Sequence, residues 1–259
     1  MNAIKHIIPA LLICAVSLCV AAGAEGKYVT YEIDGKKYEG YFIQPYADAP
    51  LVLLIHDWDG LTDYEVKRAL MLADLGYAVF AADLFGAEVR PEKTEDRRRL
   101  TGALYEDREK MRALLRGALD AAKAHGANVD NAIAMGYCFG GTAVLEFARS
   151  GADLKGFVAF HGGLSIPEGQ DYSDTKGTVL IFHGTADTGI SMDEFAALAN
   201  ELEKQGVPHE MIAYGGAPHA FTVFGSDRYR EDADKKSWRR FTNFLEETLK
   251  PGKKAEKTP

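Results

Sequence analysis

The stretch Ala132-Ile133-Ala134-Met135-Gly136-Tyr137-Cys138-Phe139-Gly140-Gly141-Thr142 is an apolar run that ends in glycines with a cysteine set between them. It reads as a buried strand, a tight turn and the first turn of a helix. Small residues on both sides of such a turn let strand and helix cross closely, and the side chain at its apex stands clear of the backbone. That apex is Cys138. A helix starting just after it directs free N–H groups toward the sulfur, which favours a thiolate and, later in a reaction, an oxyanion. The competing reading of Cys138 is a small buried hydrophobe.

Outward from this turn, strand and helix patterns alternate. Residues 28–33 and 37–43 alternate polar and apolar around Asp34-Gly35, the mark of a hairpin with a primed turn. Residues 51–56 form an unbroken apolar strand of the kind buried on both faces. A helix-spaced apolar set, Val66, Ala69, Leu70, Ala73 and Leu75, stops at Gly76, and residues 77–82 return to strand. Residues 91–125 predict two helices broken near Thr101-Gly102. After the turn at Cys138, the pattern predicts a helix over 139–149, strands over 156–160, 178–182 and 210–214, a helix over 192–205 and a closing helix over 233–249. The fold class expected is therefore α/β, a doubly wound, mostly parallel sheet with an N-terminal antiparallel hairpin. Ligands bind such sheets at the carboxyl ends of the strands.

The chain has 259 residues with 47% hydrophobic and 26% charged, suited to one domain, here assigned to residues 25–250. A net charge of -8 argues against nucleic acid and anionic membrane surfaces as partners. Residues 1–24 read as a secretory leader: Lys5 and His6, an apolar run, then Ala22-Gly23-Ala24 as the cleavage site. The expected location is the periplasm or the exterior, with no stable membrane insertion once the leader is removed. Residues 251–259 form a basic tail without core residues. Leader removal takes Cys14 and Cys19 and leaves Cys138 as the only thiol. An unpaired thiol in an oxidising compartment is a liability, which points to a chemical use for it.

A nucleophilic Cys138 needs a base, and the base needs an orienting acid. The strand over 178–182 runs into His183-Gly184-Thr185-Ala186-Asp187, and the strand over 210–214 runs into Gly215-Gly216-Ala217-Pro218-His219. Asp187 and His219 thus stand at successive strand ends in the order nucleophile, acid, base. Asp187 could instead cap the helix near Ser191 or order its own turn. His219 could instead be a surface loop residue. His183, at a strand end, could compete as base, but it precedes Asp187 and reads, like His161 and His56, as a structural, hydrogen-bonding histidine. No His or Cys pair has metal-ligand spacing, and no metal or cofactor is expected.

These segments, with His56-Asp57-Trp58-Asp59-Gly60-Leu61, Ala82-Asp83-Leu84-Phe85 and Gly216-Ala217-Pro218-His219-Ala220-Phe221, resemble the dienelactone hydrolase family of α/β-hydrolases. The resemblance implies an α/β-hydrolase fold, hydrolysis of small esters or lactones, Cys138 as nucleophile, His219 as base and Asp187 as its orienter. It places the oxyanion hole on the backbone N–H groups of Trp58 and Phe139 and an accessory role on Asp57, where the family has a glutamate. The family's carboxylate-binding arginines have a candidate set in Arg97, Arg98 and Arg99, while Val223 stands where the second is expected. The partner expected is a small-molecule ester or lactone and the state a monomer. The rival readings are a binding or redox-sensing module on the same fold, and a thiol peptidase or acyltransferase.

Overall fold

The computed structural model describes residues 24–249. The basic tail and all but the last residue of the leader lie outside them. Strand β1 (Lys27–Ile33) and strand β2 (Lys36–Ile43) form the expected hairpin. Asp34 and Gly35 both have positive φ, 50° and 73°, the backbone of a primed two-residue turn that glycine adopts without steric cost.

Strand β3 (Pro50–Ile55) is buried throughout. Its side chains alternate between two cores: Leu51, Leu53 and Ile55 enter one apolar layer, Val52 and Leu54 the other. Two faces that must both be covered explain why its sequence is apolar without a break. Helix α1 (Asp63–Asp74) starts at a capping box in which Thr62 and Glu65 satisfy each other's backbone donors. Strand β4 (Ala78–Ala82) follows, then helix α2 (Thr94–Glu106) and helix α3 (Arg108–Ala124).

The break between the two helices is at Asp107, not near Thr101-Gly102. Asp107 turns its carboxylate onto the Lys110 amide and caps α3, and Gly102 stays inside α2 with open space around it. A solvent-facing glycine weakens a helix by only about 1 kcal/mol, whereas a side-chain cap starts a new one.

The chain continues through β5 (Asn128–Tyr137), α4 (Phe139–Arg149), β6 (Gly156–Phe160), β7 (Thr178–Gly184), α5 (Met192–Gln205), β8 (His209–Tyr214) and α6 (Glu231–Thr248). The sheet order is β1-β2-β4-β3-β5-β6-β7-β8, antiparallel from β1 through β4 and parallel from there on. Apolar residues of α3, α4 and α5 cover one face, and those of α1 and α6 cover the other. Among the described residues no helix is long and apolar enough to cross a membrane.

Strand β3 lies between β4 and β5, so the chain leaves it in one direction and later returns on its other side. That reversal opens a crevice above the carboxyl ends of β3 and β5. The segments after these two strands carry Trp58 and Cys138.

Candidate active site

The turn between β5 and α4 is as tight as its glycines suggest. A Cβ on Gly136 would lie 2.3 Å from the Gly140 carbonyl, and one on Gly140 would lie 2.3 Å from the carbonyl oxygen of Ile55. Cys138 at the apex has φ 51° and ψ -114°. Such a conformation costs a non-glycine residue of order 1–3 kcal/mol and persists only when the surroundings impose it. Here the Cys138 N–H donates to the Phe160 carbonyl at 3.0 Å. Phe139 opens α4, where an amide has no carbonyl acceptor within the helix.

His219 comes from the loop after β8. Its Nε2 is 3.1 Å from Cys138 Sγ and its Nδ1 2.8 Å from Asp187 Oδ2. Asp187, in the loop after β7, uses its other oxygen to accept from the amides of Gly189 and Ile190 at 2.8 and 3.1 Å. It therefore orders its turn and also reaches the histidine. The cap of α5 is Ser191, in its own capping box with Glu194.

The electrostatics of this chain favour charge on the ring. Burial works against a charged imidazole, yet the hydrogen bonds to Asp187 and Cys138 outweigh it and lift His219 to about 10. Burial also opposes charge on Asp187, but its bond to His219 holds it below the usual carboxylate range. An imidazolium that persists through neutral pH can donate from Nε2 to a thiolate and from Nδ1 to the carboxylate.

The three side chains border a cavity of about 440 Å³ also lined by Asp57, Trp58, Ile190, Pro218 and Arg228. Its size suits a small organic molecule. Trp58 carries the guanidinium of Arg97 over its ring, 5.3 Å from the centroid, and that guanidinium is 3.7 Å from Asp59. Of the three arginines singled out in the sequence, Arg97 is therefore committed to Trp58 and Asp59. Arg99 pairs at the surface with Asp96. The cationic residue that lines the cavity is Arg228, nine positions after His219, where no motif marked it.

Asp57 lines the cavity beside Cys138 and is 8% exposed. Its Oδ1 accepts from the Asp59 amide at 3.0 Å. Burial above all, then a hydrogen bond to the Asp59 side chain and the charge of Glu65, push Asp57 up to about 10. Burial thus favours its neutral form. Such an acid contributes its full stability below its unfolded value and loses it as pH rises toward the folded one. Asp57→Asn keeps the acceptor for Asp59 without the penalty of ionisation. It is expected to raise Tm at pH 8 by at least about 2 °C over the parent, with the gap closing toward pH 4. Parallel thermal melts across that range are the check.

The remaining histidines separate. His56 accepts from the Leu84 amide at Nε2 (3.1 Å) and so donates from Nδ1 to the Asp57 carbonyl (2.6 Å), tying the β3 loop to the one after β4. His183, read from the sequence as hydrogen-bonded, has no partner on either ring nitrogen among the described residues, and the ring stacks on Phe195 at 5.5 Å. Its strand position turns it toward α5, out of hydrogen-bond reach of a polar partner among the described residues. His161 contacts both Cys138 and His219. Tyr105 on α2 packs on Phe139 at 5.6 Å and hydrogen-bonds toward Thr142. Among the described residues no three His, Cys, Asp or Glu side chains gather as metal ligands do.

A turn bearing Cys138 after β5, an acid after β7 and a histidine after β8, on an eight-stranded mostly parallel sheet, define an α/β-hydrolase architecture. The model of the dienelactone hydrolase family matches residues 38–249, and the chain belongs to that family. It is similar to the protein usf of Aquifex pyrophilus, 27% identical over 231 residues that make up 86% of this chain and 99% of the other. Among solved structures it resembles m3DLH at 32% identity and TM-score 0.82, covering 88% of this chain and all, 100%, of that one. A dienelactone hydrolase-like promiscuous phosphotriesterase from metagenomic libraries is similar at 30% identity and TM-score 0.82, with 88% and 100% of the two chains covered.

Proposed function

We propose that this hydrolase cleaves small esters or lactones through a thioester on Cys138. The observation that carries the reading is the hydrogen-bonded chain from sulfur through His219 to Asp187 at the wall of the 440 Å³ cavity. The Cys138 thiolate attacks the ester carbonyl, and the negative oxygen that forms is held by the amides of Phe139 and Trp58. Donors of this kind are commonly worth about 3–4 kcal/mol each in the transition state. His219 gives its Nε2 proton to the departing alkoxide, leaving an acyl-thioester. A water then loses a proton to His219, attacks the thioester and expels the acid and the thiolate. Esters suit this nucleophile better than amides, because a stabilised thiolate leaves the tetrahedral intermediate more readily than an amine does.

The test is a rapid-mix reaction with p-nitrophenyl acetate. A burst of nitrophenolate close to one per active site, with one acetyl group located on Cys138 by mass spectrometry, is the expected result. Turnover with no acyl group on Cys138 in a quenched sample would falsify the thioester route. The similarity to a promiscuous phosphotriesterase favours a second activity, in which the same thiolate bonds to the phosphorus of an aryl phosphotriester as the P–O bond to the aryl group breaks and the aryloxide leaves. The same burst assay with such a triester reads it.

The leader pattern and the single remaining thiol support export to the periplasm or beyond, which a fractionation of cells producing the full chain would read directly.

A further inference from the structure

His161 follows the last residue of β6 and is 1% exposed. Its Nδ1 is 3.2 Å from the Cys138 amide nitrogen, whose one N–H it shares with the Phe160 carbonyl at 3.0 Å, and its ring meets that of His219 edge to face, with centroids 5.3 Å apart. Nε2 is 2.8 Å from the Thr222 hydroxyl, three residues beyond His219. Thr222 continues the chain of contacts. Its hydroxyl is 2.8 Å from the Tyr64 hydroxyl, and its carbonyl accepts at 2.9 Å from Arg68, which pairs with Asp234.

An amide N–H can only donate, so Nδ1 accepts and the ring proton sits on Nε2, pointing at Thr222. Burial, followed by the charge of His219, disfavours a second proton on His161. A neutral ring can lie against His219 while that histidine is charged. A protonated one could not do so without repulsion.

The backbone gives a second, independent sign. Cys138, His161 and Ala220 have φ of 51°, 42° and 60°. All three are non-glycine residues in the left-handed region, and each belongs to or adjoins the Cys138–His219 contact. Strain of this sort gathers where the structure holds a functional geometry in place.

We infer that His161 is a positioning residue for the Cys138–His219 pair: its Nδ1 anchors the nucleophile's amide and its ring edge sets the orientation of the base. The inference rests on the reading in which Cys138 attacks the substrate. If His161 merely filled the core, phenylalanine would serve as well, since it matches the ring in shape and lacks only the acceptor and the donor. Asparagine would fill less space, but its side-chain oxygen can accept from the Cys138 amide, and it tolerates positive φ.

The experiment compares His161→Phe and His161→Asn with the parent in hydrolysis of p-nitrophenyl acetate and in the pH dependence of Cys138 alkylation by iodoacetamide. His161→Phe is expected to lower kcat by about 10- to 100-fold with KM within about threefold, and to change the pH profile of Cys138 alkylation from the parent's. His161→Asn is expected to recover most of both. A folded His161→Phe protein with parental kcat and alkylation profile overturns the inference, as does an equal loss in both variants. Should His161→Phe not fold, 15N NMR of the histidine-labelled parent decides. The expected His161 signal is a neutral ring protonated at Nε2 at pH 7, and a ring protonated at Nδ1 overturns the inference. Cys138→Ala run alongside separates the two levels. Turnover surviving in that variant refutes the nucleophile, while the alkylation and NMR readouts, which need no turnover, still test His161.

Discussion

Cys138→Ala is expected to lower kcat/KM for an activated aryl ester by at least about 1000-fold while leaving the fold intact. The methyl group fits wherever the thiol did, because Cys138 lies at the cavity wall and is only partly buried. What is lost is the atom that His219 Nε2 faces at 3.1 Å. The proposed oxyanion donors would survive, so a residue of rate above the uncatalysed reaction is expected, as when one member of a triad is removed elsewhere. Asp187→Asn tests the far end of the same chain. An amide presenting its N–H to Nδ1 cannot accept the proton there and favours the wrong tautomer, so a loss of about 10⁴-fold in kcat is expected. Unchanged kinetics in either variant, measured on protein with a parental melting curve, would remove the acyl-enzyme proposal.

The second large effect concerns stability. Arg68 is 1% exposed, yet its guanidinium is paired with Asp234 at 2.5 Å and ringed by Tyr64, Tyr137, Phe224 and Trp238. It also holds the Thr222 carbonyl at 2.9 Å. Arg68→Met leaves Asp234, 5% exposed, with the Tyr229 hydroxyl as its remaining side-chain partner. Removing one member of such a pair costs about 3–5 kcal/mol, an expected fall in Tm of about 6–20 °C for a domain of this size. The double variant Arg68→Met/Asp234→Leu removes the stranded charge and is expected to regain most of the loss. Calorimetry of both proteins reads the difference. A single variant as stable as the parent would show that the pair contributes little.

The order of strands and helices was open to reading because each element carries its own period. The β3 segment is apolar at every position since it is buried on both faces, and α4 and α5 span residues 139–149 and 192–205, as the pattern predicts. The α2–α3 boundary was misplaced because Gly102 is the louder local signal, whereas a carboxylate cap at Asp107 shows itself only once the backbone turns. Cys138, Asp187 and His219 were legible for a related reason. Each follows the end of a strand, and a parallel sheet brings strand ends to one rim.

What the chain's letters determined by themselves is the alternation of elements, and with it which three chemically capable side chains share that rim. What only the tertiary structure decided is how each of them, and its neighbours, is oriented. His56, His161 and His183 look alike in the sequence, each at or just past a strand end. The fold ties the first to backbone groups, sets the second against Cys138 and His219, and stacks the third on Phe195 without a hydrogen bond among the described residues. The physical reason is that hydrophobic period is a property of near neighbours along the chain. Partners such as Arg68 and Asp234, 166 residues apart, meet only through the packing of the whole sheet and its helices.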